Sequence, residues 1–245
     1  MSLDYVKDEP AAADEGYGPP VVAVPFPLYT AILIACIAAV SIAQLVFGLS
    51  GSIDAAGFNK PLFLHEHEYW RLLTGAALHG GVLHVVMNGY ALYMFGRLIE
   101  MLSNRAHLAI VFLLAAIGGS FLSLVFLPNG TSVGASGGIV GLLGYVAVYA
   151  FRRRDFISPE FRRSLVFNIG FIFVYGLLLY NVIDNFGHLG GLITGAIYAL
   201  LQVPSDPYTD PRQVGPVVRW LGVLSLAVFI LTSVLSIIVI ANYRY

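Results

Sequence analysis

Apolar residues dominate the chain in runs about as long as a bilayer is thick. A window of roughly 20 residues, enough helix to cross the hydrocarbon core, predicts seven spans: 28–49, 78–99, 106–126, 136–151, 165–180, 187–203 and 217–240. Three of these are short or polar and give a weak hydropathy signal. The predicted architecture is an all-α polytopic membrane protein. Residues 1–24 read as a polar acidic tail, 25–203 as a six-helix unit, and 204–245 as a linker with a seventh span.

Composition supports the bilayer as the main solvent. Hydrophobic residues make up 58% of the chain and charged ones 11%. A soluble domain usually has about a quarter charged residues. A net charge of −1 with no basic stripe argues against a nucleic-acid partner. Cys36 is the single cysteine, so no intrachain disulfide forms. Lys7 is the only cation in the tail, which lacks the basic opening of a signal peptide and reads as leading into a signal anchor.

The flanking cations predict orientation. Lys7, Arg97, Arg105, Arg152, Arg153, Arg154, Arg162, Arg163, Arg212 and Arg219 fall on one side, and Lys60, Arg71 and Arg244 on the other. The tail is then cytoplasmic, the loop at 54–71 and the turn at 127–133 face outward, and Tyr245 ends outside. A bacterial inner membrane fits a short chain without a transit-like segment.

Polar groups in hydrocarbon are costly unless paired, so their positions are informative. The second span opens with His79, His84 and Asn88. The fourth opens with Gly134-Ala135-Ser136-Gly137, and the sixth with His188 after Asp184-Asn185. The charge-derived topology puts all three openings at the outer leaflet. His84 and Asn88, at i and i+4, share a helix face. Gly137, Gly141 and Gly144 form one stripe, and Gly187, Gly191 and Gly195 another. Small residues so spaced let two membrane helices approach closely. If the stripes meet, His188 comes near Ser136 and can act as its general base. His84, Asn88 and the Ser136 backbone N–H are then candidate donors to an oxyanion. No carboxylate is evident beside His188.

Each residue also has a plainer reading. A membrane serine commonly bonds back to its own helix, and a membrane histidine commonly serves transport, proton relay or metal binding. The glycine stripes are packing devices in either case. His65-Glu66-His67 lacks metalloprotease spacing and reads as a solvated loop, so neither metal nor cofactor is expected. Trp70-Arg71 reads as an interfacial anchor with a snorkelling cation. Glu100 reads as a helix-end polar group.

In combination these pieces resemble the rhomboid intramembrane serine proteases over residues 58–201. The matching residues are Trp70-Arg71, His79, His84-Val85-Val86-Met87-Asn88, Gly134-Ala135-Ser136-Gly137 and Asn185-Phe186-Gly187-His188, with Gly191 and Gly195. The resemblance implies a six-helix core with one appended helix, Ser136 as nucleophile and His188 as base in a dyad. It also implies an oxyanion hole of His84, Asn88 and the Ser136 N–H, with His79, Trp70, Arg71 and Asn185 in support. The fifth-to-sixth loop near Asp184 and Asn185 would be a mobile cap. Substrates would be transmembrane proteins cut near the outer leaflet. Some members stack an aromatic on the histidine one turn after the serine; Val140 stands there. Two rivals remain: a catalytically inactive rhomboid-like client binder, and a transporter using His188 as a proton relay.

Overall fold

A computed structural model describes residues 26–243. The acidic tail, with Lys7, and Arg244 lie outside the described residues. Seven long helices follow the apolar runs: α1 (Leu28–Phe47), α5 (Val82–Leu102), α6 (Arg105–Phe126), α7 (Ser136–Arg152), α8 (Pro159–Leu178), α9 (Asn185–Gln202) and α10 (Pro216–Asn242). Between α1 and α5 come the short helices α2 (Leu49–Ala56), α3 (Lys60–His65) and α4 (Arg71–Thr74). Five of the long helices are long and apolar enough to cross a membrane. The α7 helix has 17 residues and α9 has 18, and these two carry Ser136 and His188.

Two boundaries differ from the sequence expectation. Helix α5 starts at Val82, so His79 lies in the preceding loop and not on the second span. Its backbone is held there by Gln44 of α1, whose Oε1 accepts from the His79 N–H at 2.9 Å and whose Nε2 donates to the His79 carbonyl at 3.0 Å. Helix α8 begins at Pro159, capped by Ser158 Oγ accepting from the Phe161 N–H at 3.2 Å. Arg162 and Arg163 are therefore helical, not loop, residues. The start was signalled by Ser-Pro-Glu: a cap, a proline in the first turn and an acidic residue at the positive helix end.

The connection between α1 and α5 is ordered by polar contacts. Strands β1 (Phe58–Asn59) and β2 (Thr131–Ser132) pair antiparallel, Phe58 opposite Ser132, and tie this loop to the approach to α7. Arg71 is 5% exposed, which rules out a snorkelling anchor. Its Nη1 donates to the carbonyls of Asp54 and Gly57, each at 3.0 Å, its Nε pairs with Glu68, and its guanidinium lies 4.7 Å from the Trp70 ring centroid. A planar fork with several donors suits such convergent carbonyls better than an ammonium would. His65, the last residue of α3, and Glu66 and His67 after it are exposed, so the segment is solvated but begins in a helix.

At the opposite end, Glu100 Oε1 accepts from the Thr30 N–H at 2.7 Å and its hydroxyl at 2.8 Å, pairing α5 with the first turn of α1. Helix α10 packs on α1 and α6. Gly222 meets Ala106 so closely that a Cβ on the glycine would lie 2.5 Å from the Ala106 Cα, and Phe229 meets Phe112 edge to face at 5.0 Å. The preceding linker is strapped down by Asn104 Nδ2 donating to the Arg212 carbonyl at 2.9 Å and by Arg153 donating to the Thr209 carbonyl at 3.2 Å.

Candidate active site

The two predicted glycine stripes do face each other. A Cβ at Gly191 would lie 2.0 Å from the Gly137 carbonyl oxygen, and one at Gly195 would lie 1.9 Å from that of Gly141. Only residues without side chains allow α7 and α9 this approach, and backbone atoms cannot move aside. Sequence reasoning missed a third participant, α6. A Cβ at Gly119 would meet the Gly187 oxygen at 2.5 Å, and one at Gly190 would meet the Gly118 oxygen at 2.5 Å. The adjacent Gly118-Gly119 inside an apolar run was the readable signal.

This packing brings the starts of α7 and α9 to the same depth. Ser136 is the first residue of α7, where backbone N–H groups have no intrahelical acceptor. His188 lies in the first turn of α9. Both line one cavity of about 160 Å³, together with Asn88, Met87 and Phe95 of α5, Val140 of α7 and Ile172 of α8. No hydrogen bond joins the two side chains among the described residues. The His188 Nδ1 is buried without a partner. Such contacts are often loose in unliganded sites and tighten on substrate binding.

His84 stands on the other side of Ser136. A Cβ at Gly134 would be 3.0 Å from His84 Nε2 and 3.7 Å from Ser136 Oγ, so these atoms flank one small space. Gly134 has φ +127°, a conformation that favours glycine, and its N–H donates to the Gly75 carbonyl at 2.9 Å. His84 Nδ1 accepts from the Gly80 N–H at 3.2 Å. That bond requires a lone pair on Nδ1, so the neutral ring carries its proton on Nε2, the nitrogen beside Gly134. Asn88 is buried and spends one amide N–H on the His84 carbonyl at 2.9 Å, which leaves its second N–H available in the cavity.

The remaining predicted residues divide. The His79 ring lies 5.1 Å from that of His84, centroid to centroid, outside the cavity and with both nitrogens unpartnered. Trp70 and Arg71 stabilise the connection between α1 and α5. Asn185 points toward α8, where a Cβ at Gly176 would collide with its Oδ1 at 1.9 Å. Asp184 closes the connection between α8 and α9, and Asn185 is the first residue of α9. Asp184 is the N-cap of α9, its Oδ1 accepting from the Gly187 N–H at 2.8 Å. The connection from α8 to α9 is only six residues, 179–184.

Asp184 also anchors a cluster that sequence reasoning did not find. Its Oδ2 accepts from Ser132 Oγ at 2.6 Å and from Ser123 Oγ. Lys60 Nζ donates to Ser132 Oγ at 2.7 Å and lies 4.0 Å from the carboxylate. Burial pushes the Lys60 ammonium below its ordinary pKa, and the Asp184 charge acts in the opposite direction. These residues come from four separated segments, so no spacing rule could have grouped them. A second, smaller chamber of about 40 Å³, to which Ser120, Ser132, Asp184 and Ser136 contribute polar groups in an otherwise largely apolar lining, lies behind the serine.

Residues 66–205 match the Rhomboid domain. The chain is 34% identical over 150 residues to RHOMBOID-like protein 6, mitochondrial, of Arabidopsis thaliana, covering 60% of this chain and 48% of that protein. It is 35% identical over 148 residues to Rhomboid protease GluP of Bacillus subtilis, covering 59% and 28% respectively. Inactive rhomboid protein 1 of Bos taurus is 31% identical over 139 residues, covering 56% and 16%. The matched region thus spans less than half the length of these relatives.

Proposed function

The chain belongs to the rhomboid family, and on that premise we propose that it is an intramembrane serine endopeptidase. The observation that carries the reading is the shared cavity: Ser136 and His188, from different helices, face it together with Asn88. His188 takes the proton of Ser136 Oγ as the hydroxyl attacks a substrate carbonyl. The carbonyl oxygen becomes an oxyanion stabilised by the His84 Nε2–H, the Asn88 amide and the Ser136 N–H. One such donor is typically worth about 3–4 kcal/mol in the transition state. His188 then protonates the leaving amine, and water hydrolyses the acyl-enzyme. The 40 Å³ chamber behind Ser136 is large enough for that water.

Helices α1 and α5 to α9 form the catalytic unit, with α10 appended. Substrates are transmembrane segments cut near the outer leaflet, with the N-terminus of the enzyme cytoplasmic. Ser136→Ala is expected to abolish cleavage of a model transmembrane substrate without changing the thermal midpoint by more than a few degrees. Cleavage by that variant at the wild-type rate would refute the assignment. The presence of inactive relatives favours a second reading, a client-binding protein without chemistry. A fluorophosphonate probe separates the two: the protease is labelled at Ser136 and loses labelling in Ser136→Ala and His188→Ala, whereas the binder is never labelled.

A further inference from the structure

His188 has little to hold its ring. Its Nδ1 is buried and unpartnered, and Val140, one turn after Ser136 in the wall of the same cavity, offers no ring to stack on. The glycine seam fixes the distance between α7 and α9, but its closest contacts lie below the histidine, at Gly191 and Gly195. The direction of the ring therefore depends on how the first turn of α9 is held. That turn begins at Asp184, whose carbonyl accepts from the His188 N–H at 3.0 Å.

Capping a helix takes one carboxylate oxygen, and Asp184 Oδ1 fills that role on Gly187. The second oxygen has a separate set of partners: Ser123 in the last turn of α6, Ser132 in β2, and through Ser132 the ammonium of Lys60 in α3. Lys60 is 1% exposed, an unusual position for a lysine in an outer loop. We infer that Lys60, Ser132, Ser123 and Asp184 form a clasp that fixes the first turn of α9 against α6 and the outer loop, making Asp184 and Lys60 positioning residues for His188. The clasp couples the outer loop to the general base: displacement of β2 or α3 is transmitted to the ring. Charge-assisted hydrogen bonds in such a site are short and directional, which suits them to setting orientation.

This inference rests on the protease reading, and the experiment separates the two. The full chain in proteoliposomes is assayed for kcat and KM on a model transmembrane substrate and for the rate of fluorophosphonate labelling. The variants are Asp184→Ala, Asp184→Asn, Lys60→Met and Ser132→Ala. Asp184→Ala and Lys60→Met are expected to lower kcat at least tenfold with KM within twofold, and to slow labelling by a similar factor. Asp184→Asn, which keeps an oxygen for the Gly187 N–H, is expected to recover part of that loss. If Asp184→Ala does not fold, Lys60→Met and Ser132→Ala carry the test with the cap intact. Folded Lys60→Met and Ser132→Ala proteins with wild-type kcat and labelling would overturn the clasp. A kcat loss matching only the fraction unfolded would overturn it too. A wild type that neither cleaves nor labels would sink the protease reading, and the clasp with it.

Discussion

The helices α7 and α8 border the same cavity but are built in opposite ways. Helix α7 is nearly enclosed, with Gly138, Leu142, Leu143 and Val146 among its many buried positions, and it meets α9 through glycine backbone. Helix α8 buries only Leu165 and Gly176, and Phe167, Leu177 and Leu178 face outward. Both contribute to the wall around His188, through Val140 and Ile172. The difference follows from residue size. Glycine lets two helices share a long backbone seam, whereas the bulky side chains of α8 hold it off and leave its apolar surface to lipid. One wall of the site is therefore fixed and the other loosely attached. The fixed wall carries the candidate chemistry, which tolerates little misplacement.

Glycine-to-alanine substitutions test this contrast with one chemical change in three places. The largest effect is expected at Gly195, where the new methyl would lie 1.9 Å from the Gly141 carbonyl oxygen, a backbone atom with nowhere to go. Gly195→Ala should lower stability by roughly 3 kcal/mol or more and abolish cleavage; denaturation in detergent and the cleavage assay measure both. A smaller effect is expected at Gly176, where the obstructing atom is the Asn185 Oδ1. A side-chain amide can rotate, so Gly176→Ala should cost about 1 kcal/mol and leave labelling at Ser136 within a few-fold of wild type. The smallest is expected at Gly170 of α8, where nothing lies within 4 Å of the added atom. Gly170→Ala should be neutral or stabilising by about 0.5–1 kcal/mol, because alanine loses less backbone freedom in a helix. Equal destabilisation at Gly195 and Gly170 would erase the distinction between the two walls.

Much of this protein was legible in one dimension. The apolar runs located all seven long helices, because crossing a bilayer demands a length and a composition that few other constraints imitate. Polar residues at the openings of three helices pointed to Ser136, His188 and Asn88, which line one cavity. The glycine periodicity named the correct pair of faces, since the restriction on close approach belongs to the residue itself. What the sequence did not contain was anything that depends on side-chain direction or on convergence of distant segments. Arg71 turned inward because the carbonyls of Asp54 and Gly57 meet at one point. His79 fell outside α5 because Gln44, on another helix, holds its backbone. The Lys60–Ser132–Asp184–Ser123 cluster exists only because four chain segments close on one carboxylate. Periodicity reports which face of a helix is apolar. Which polar atoms find each other is decided by packing, which pairs most buried groups because an unpaired one is costly yet leaves His79 and the His188 Nδ1 without partners.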